Sequence, residues 1–144
     1  MSHPSFQTQR TVRFADCDPA GIVFFPQYLV MLNTQVEQFF DEALHISYAE
    51  LIGTRRLGLP TVRLEVDFTA ISRHGEQLTL TLMVKKRGQS SLALQHRVHG
   101  ADGELRLAAR QVLVCTSLET HASQPLPDDV RDALEPYLAD TEGD

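Results

Sequence analysis

Residues 26–44 constrain the fold more than any other stretch of this chain. Pro26 suits the first turn of a helix, where its missing N–H leaves no bond unmade, and Tyr28, Leu32, Val36, Phe39, Phe40 and Ala43 follow at helical spacing. Tyr28, Leu29, Val30, Met31 and Leu32 are apolar in succession, so the first half of this predicted helix has no polar face and must be covered on all sides. Gln35, Glu37, Gln38, Asp41 and Glu42 give the second half one polar side.

The rest of the chain reads mainly as strands. Gln7–Phe14 is rich in Thr, Val and Phe and predicts a first strand, and a short helical piece is expected over Ser47–Ile52. Val62, Leu64, Val66 and Phe68 then alternate with polar residues, as do Leu78, Leu80, Leu82 and Val84, and then Leu92, Leu94, His96 and Val98. Period two means one packed face and one more polar face. Leu105 and Leu107 open another strand, whose phase shifts before Val112 and Val114 and predicts a bulge. His74–Gly75, Arg87–Gly88–Gln89 and Asp102–Gly103 are short turn signals, so the strands are expected as an antiparallel meander. Asp128–Leu138 predicts a terminal helix after Pro125 and Pro127. The expected class is α+β, a long buried helix against an antiparallel sheet of about five strands, in one domain over residues 1–144. Two open sheet edges and a helix that one sheet cannot cover point to a homo-oligomer.

The formal charge of −6 is unevenly spread. From Ser117 onward eight acids face Arg131 alone, a tail of −7, while the body carries 12 basic and 11 acidic residues. This balance excludes a broad nucleic-acid footprint but leaves room for local positive potential in the body. There is no apolar run of about 18 residues to span a membrane. Residues 1–10 carry no apolar signal core, so a cytoplasmic address is expected. Cys17 and Cys115 are the only cysteines and form no CxxC, and the histidines are scattered, so no metal site is expected. His96 and His99, three apart on a strand, point to opposite faces.

Chemistry concentrates in Asp16–Cys17–Asp18–Pro19–Ala20–Gly21, a small-residue loop directly before the helix. A helix start offers backbone N–H groups without intrahelical partners and a positive dipole end. A carboxylate beside such donors is the minimum equipment for acyl transfer. The same two acids also suit a plain turn in which they accept backbone hydrogen bonds. Cys17, between two carboxylates, is disfavoured as a thiolate and reads as a packing residue.

The run from Phe14 to Tyr28, FADCDPAGIVFFPQY, resembles the signature of the 4-hydroxybenzoyl-CoA thioesterase family, whose members have the hotdog fold. The resemblance implies an acyl-CoA thioesterase with no cofactor, the CoA thioester being the substrate. It places Asp18 on the family's catalytic carboxylate and Asp16 on a structural acid. The backbone N–H of Phe25 falls where the family polarises the thioester carbonyl, Gly21 on the glycine that allows close backbone approach, and Tyr28 on the active-site wall. Whether Asp18 attacks the carbonyl or activates a water is open. The resemblance also implies a dimer with a continuous sheet, commonly a tetramer, and basic residues near a sheet turn for the CoA phosphates. Lys86 and Arg87 are the candidates, with Ser91 adding a neutral hydrogen bond.

Departures from the pattern bear on the acyl group. Asn33 stands where the aromatic-CoA member of the family has an acid near the substrate ring, which counts against 4-hydroxybenzoyl-CoA itself and leaves other aryl or short acyl groups. Glu37, the mid-helix acid of a second subclass, lies off the apolar stripe and reads as solvated. An acyl-carrier-protein thioesterase and a non-catalytic acyl-CoA binding module are the alternatives, while a hotdog hydratase lacks its Asp/His pair here. The acidic segment after Ser117 is expected to lie away from the phosphate turn near Lys86.

Overall fold

The computed structural model describes residues 4–138. Asp140, Glu142 and Asp144 of the acidic tail, and the first three residues, lie outside them. β1 (Phe6–Thr11) leads through a loop to α1 (Phe25–Gln38), which continues in wider π-type turns over Phe39–Leu44 and ends at His45 in a left-handed conformation (φ 58°). α2 (Tyr48–Gly53), β2 (Leu57–Gly58), β3 (Thr61–Phe68), β4 (Gln77–Arg87), β5 (Ser91–Gly100), β6 (Leu105–Val114), β7 (Thr116–Ser117) and α3 (Asp128–Leu134) follow. Five strands form one antiparallel sheet in the order β1–β4–β5–β6–β3, wrapped against α1; this is the hotdog arrangement, and β2 and β7 pair apart from it.

The period-two pattern sorts the sheet. Leu78, Leu80, Leu82 and Val84 of β4, Leu92, Leu94 and Val98 of β5, and Leu107, Ala109 and Leu113 of β6 are buried beneath Tyr28, Met31, Leu32, Val36, Phe39 and Phe40. Truncating a fully buried ring such as Phe39 or Phe40 to Ala costs about 3–5 kcal/mol in comparable cores. Gln35, the polar break in the helix stripe, is buried and donates to the carbonyls of Leu80 (3.0 Å) and Phe6 (3.4 Å), clamping α1 onto the β1–β4 edge. One chain does not cover the helix fully: Val30 is 53% exposed, and β3 leaves Val62, Leu64 and Phe68 open.

Three expectations change. β1 stops at Thr11, because Phe14–Asp16 forms a single 3₁₀ turn in which the Asp16 carboxylate bonds back to the Arg13 N–H (2.8 Å). The strands are not a simple meander, since β3 pairs with β6 and lies two strands from β4. Gly75 does turn the chain (φ 91°), but Val12 exchanges backbone bonds with Glu76 and Gly75, which extends the β1–β4 ladder and seats β4 beside β1. In β6 the buried phase is unbroken from Leu107 to Leu113; the register shift lies at Arg106, opposite Val98 and His99. The acidic C-terminal segment gives three residues to the core, with Leu126, Val130 and Leu134 buried against Phe40, Leu51 and Leu57. No helix is long and apolar enough to cross a membrane among the described residues.

His96 is fully buried on the helix side of β5. The Gln111 amide donates to Thr61 Oγ1 (2.9 Å), so its Oε1 accepts from His96 Nε2–H (2.8 Å), and His96 Nδ1 has no partner among the described residues. Burial therefore favours the neutral ring and pushes its pKa below the usual 6.5. The unfolded chain binds this proton near its ordinary value and the folded chain does not, so stability present above that value is lost as pH falls below it. The denaturation midpoint is expected to drop between pH 7.5 and 5.5, with a smaller drop in His96→Gln. Equal pH dependence in both proteins would contradict the assignment.

Candidate active site

The loop between β1 and α1 is held by its own backbone and by Asp16. Asp18 N–H donates to Ile22 C=O (3.0 Å), Cys17 bridges to Val23, and Phe24 N–H donates to Asp16 C=O (2.9 Å), so residues 16–18 run antiparallel to residues 22–24. Gly21 closes the turn at φ 78°, with its N–H on Asp18 C=O. The φ of Gly21 is one that glycine adopts without strain. The buried Asp16 carboxylate accepts from the Arg13 N–H and from Arg10 Nη2 (3.0 Å). It is an anchor. Asp18 is half-buried: its Oδ1 takes the Ala20 N–H (2.9 Å), and its second oxygen has no partner among the described residues. The turn reading and the chemical reading thus share one side chain.

This loop delivers the chain into α1 with Phe25 first and Pro26 second. At a helix start the first N–H groups lack intrahelical acceptors. Pro26 has none to offer, Gln27 N–H turns back to Phe24 C=O (2.8 Å), and Phe25 N–H has no acceptor among the described residues. Beside it opens a hollow of about 350 Å³ lined by Val23, Phe25, Tyr28, Phe68 and residues 69–71. Asp18 does not line the hollow; it stands on the adjoining loop.

The far wall is the crossing from β3 to β4. Its residues bond to both neighbours: Val23 N–H to Ser72 C=O (2.9 Å), His74 N–H to Gly21 C=O (3.0 Å), and the N–H groups of Thr69 and Ala70 to Arg106 C=O (3.0 and 3.4 Å). Tyr28, 4% exposed, donates its hydroxyl to the buried Ser72 Oγ (2.8 Å), and burial pushes its pKa up. Arg106, 3% exposed, donates to Ile71 C=O (3.0 Å), to Ser72 Oγ (3.2 Å) and through two nitrogens to Glu76 (3.1 and 2.9 Å). These bonds lower the Glu76 pKa and raise that of Arg106. Gly100 makes room for the guanidinium, since a Cβ there would stand 2.1 Å from Arg106 Nη2.

Sequence reasoning did not single out Ser72, Glu76, Arg106 or Phe68. The one available signal was Arg106 itself, a cation between Leu105 and Leu107 of a packed strand. Cys17 donates its thiol to Arg13 C=O (3.4 Å), and partial burial together with Asp16 and Asp18 pushes its pKa up, which suits packing rather than attack. Asn33 and Glu37 are exposed and do not line the hollow.

Lys86 and Arg87 are not brought together. A register shift between Val84 and Lys86 inserts Lys85, and the two side chains leave opposite faces of β4. Lys86 stands on the face away from α1, where it borders a shallow hollow of about 750 Å³ with Arg63, Glu65 and Arg110. Arg87 turns to the helix side, donates to Arg131 C=O (2.7 Å) and pairs with Glu135 (3.5 Å), while Arg131 returns a bond to Gly88 C=O (3.0 Å). The expectation that the segment after Ser117 stays away from this turn is therefore not met, because α3 is built against it. Ser91 lies at the same turn, its hydroxyl filling the place a side chain at residue 88 would take. No cluster of three or more His, Cys, Asp or Glu is placed to hold a metal ion among the described residues.

Residues 12–134 match the family model of the thioesterase-like superfamily. A 1,4-dihydroxy-2-naphthoyl-CoA hydrolase from Nostoc punctiforme is 30% identical over 139 residues, covering 96% of this chain and 93% of that protein. A 4-hydroxybenzoyl-CoA thioesterase from a Pseudomonas species is 28% identical over 115 residues, covering 76% and 82%. The crystal structure of a 1,4-dihydroxy-2-naphthoyl-CoA thioesterase from Synechocystis superposes with a TM-score of 0.83 at 27% identity, over 91% of this chain and 96% of that one.

The two loop acids differ in what they hold, and denaturation separates them. Asp16→Ala removes a buried carboxylate with two charge-assisted bonds and is expected to cost about 2–4 kcal/mol. Asp18→Ala loses one partly exposed turn bond and is expected to cost about 1 kcal/mol or less. Equal losses in urea titrations of the two variants would contradict this division.

Proposed function

Because this chain belongs to the thioesterase-like superfamily, we propose that it hydrolyses a CoA thioester to the free acid and CoA, with an aryl group as the acyl part. The observation that carries this reading is the Phe25 N–H, without an acceptor among the described residues, in a residue that lines an aromatic hollow, with the Asp18 loop bonded to the same helix start. The similarity to hydrolases named for naphthoyl and benzoyl CoA esters supports the aryl choice.

In this reading the Phe25 N–H, reinforced by the α1 dipole, holds the oxygen that becomes negative as the carbonyl is attacked. Such a donor contributes about 3–4 kcal/mol to the transition state in other acyl-transfer sites. The free oxygen of Asp18 acts on the carbonyl carbon. Direct attack expels CoA thiolate and leaves a mixed anhydride that water opens; activation of a water gives the acid in one step. Thiolate leaves without strong protonation, so no general acid is required. In a single turnover in ¹⁸O-water, an acid product without ¹⁸O identifies the anhydride route, because water that opens the anhydride at the Asp18 carbon leaves the acid with an Asp18 oxygen. Tyr28 serves as wall, and Gly21 allows the loop its turn. No cofactor is needed, and we place the enzyme in the cytoplasm.

The open β3 edge and exposed Val30 support a homodimer or a tetramer. Asn33 contributes only to a site completed by a second copy, since it is exposed and off the hollow of its own chain. Lys86, with Arg63 and Arg110 nearby, is the better phosphate contact. Arg87 is engaged by α3.

The reading is tested by a thiol-release assay on aryl, short-chain and long-chain CoA esters. Asp18→Asn is expected to lower kcat by at least ~10² with the fold retained. Near-wild-type turnover by that variant would remove Asp18 from the chemistry. Lys86→Glu is expected to raise KM for CoA esters roughly 3–10-fold with kcat nearly unchanged, whereas Arg87→Ala is expected first to lower stability, by about 1 kcal/mol. An unchanged KM for Lys86→Glu would take that residue out of the site.

A further inference from the structure

We infer that Phe68 is the residue that makes this site select planar aryl groups over alkyl chains. Phe68 ends β3 on the helix side of the sheet and is 48% exposed, facing the hollow rather than the core. Its ring stands edge-on to Phe25 (centroids 5.9 Å apart, interplanar angle 82°) and tilted to Tyr28 (6.0 Å, 46°). Three rings from two elements therefore bound one opening, and Phe25 carries the unbonded N–H in the same residue that supplies one of them. An acyl carbon held near that N–H puts its substituent among these rings.

The chemistry of the lining narrows what fits. The Tyr28 hydroxyl is committed to Ser72, so the ring presents only its apolar body to the hollow. Apart from Tyr28, Thr69 is the single polar side chain among the lining residues, and its hydroxyl is turned to the Leu105 carbonyl (2.7 Å). Val23, Ala70 and Ile71 complete an apolar wall. The hollow offers π edges and faces but no carboxylate or cation, which favours an unionised planar group. Edge-to-face contacts require a ring on the ligand and give nothing to a flexible chain of similar area. Phe25 and Tyr28 are tied to the helix start, and residues 69–71 to Arg106. Phe68 is the ring of the three that comes from the opposite element, so its removal opens the cradle without touching the proposed oxyanion donor.

This inference takes from the proposed function the ligand, a CoA-borne acyl group, and the place of its carbonyl beside the Phe25 N–H. Its test uses two uncleavable CoA thioethers that keep a ketone, S-phenacyl-CoA and S-(2-oxoheptyl)-CoA, with CoA alone as baseline, measured by titration calorimetry. Phe68→Leu, which keeps an apolar side chain of similar bulk, is expected to weaken phenacyl-CoA binding ~10-fold while the alkyl ketone changes by less than about twofold. Phe68→Tyr, which keeps the ring, is expected to bind both as wild type does. Equal losses for the two ligands in Phe68→Leu, or no loss for either, would overturn the assignment. Benzoyl-CoA turnover by the wild type, run alongside, keeps the two claims apart. Aryl-selective binding without turnover defeats the hydrolase reading and leaves Phe68 in place; turnover with a selectivity that ignores Phe68 does the reverse.

Discussion

One backbone N–H, that of Phe25, which has no acceptor among the described residues, is the point on which the candidate site depends. A helix start always exposes such donors, and most chains cap them with a side chain. Here the residue before α1 is Phe24, which has no capping oxygen, and Pro26 removes the next donor altogether. Gln27 N–H then turns back to Phe24 C=O, and the Phe25 N–H is left without an acceptor among the described residues. Keeping it free requires the approach to the helix to be fixed by other means. The Asp16 carbonyl on Phe24 N–H and the Asp16 carboxylate on Arg13 and Arg10 provide that fixation.

The second support comes from across the sheet. The chain leaves β3 at one edge and must reach β4 beside β1, and the crossing segment passes directly over the helix start. Arg106 holds that segment from below through Ile71, Ser72 and Glu76, and the Ser72 hydroxyl in turn receives Tyr28. Burying a guanidinium calls for acceptors on its donors: Nη1 and Nη2 bond to Ile71, Ser72, Glu76 and Asp102, while Nε pairs with the Glu104 carboxylate at 3.0 Å without a hydrogen bond. One cation thus couples the wall of the hollow, the loop of residues 16–24 and the first turn of α1.

Much of this is legible in the sequence. The helix over residues 26–44, the alternation in β4 and β5, the Asp102–Gly103 hairpin and the two-acid loop follow from local period and turn chemistry, which act over a few residues. Strand partnership does not, because alternation tells a strand which face to bury and not beside whom; β3 joins β6 and not β4. Lys86 and Arg87 looked like one basic cluster until the inserted Lys85 and the strand period sent them to opposite faces. The acidic character of the C-terminal segment concealed Leu126, Val130 and Leu134, whose spacing packs them into the core. Arg106 was passed over because a lone cation in a strand is ordinarily a solvated one, and only the fold reveals five oxygen-bearing groups around it.

The central claim is that the Phe25 N–H receives the acyl carbonyl, and isotope-edited vibrational spectroscopy tests it most directly. With Asp18→Asn holding an uncleaved ¹³C-carbonyl benzoyl-CoA, the thioester C=O stretch is predicted to move to lower frequency than in water, as a carbonyl polarised by a fixed donor does. A bound carbonyl at its solution frequency, or higher, would contradict the account.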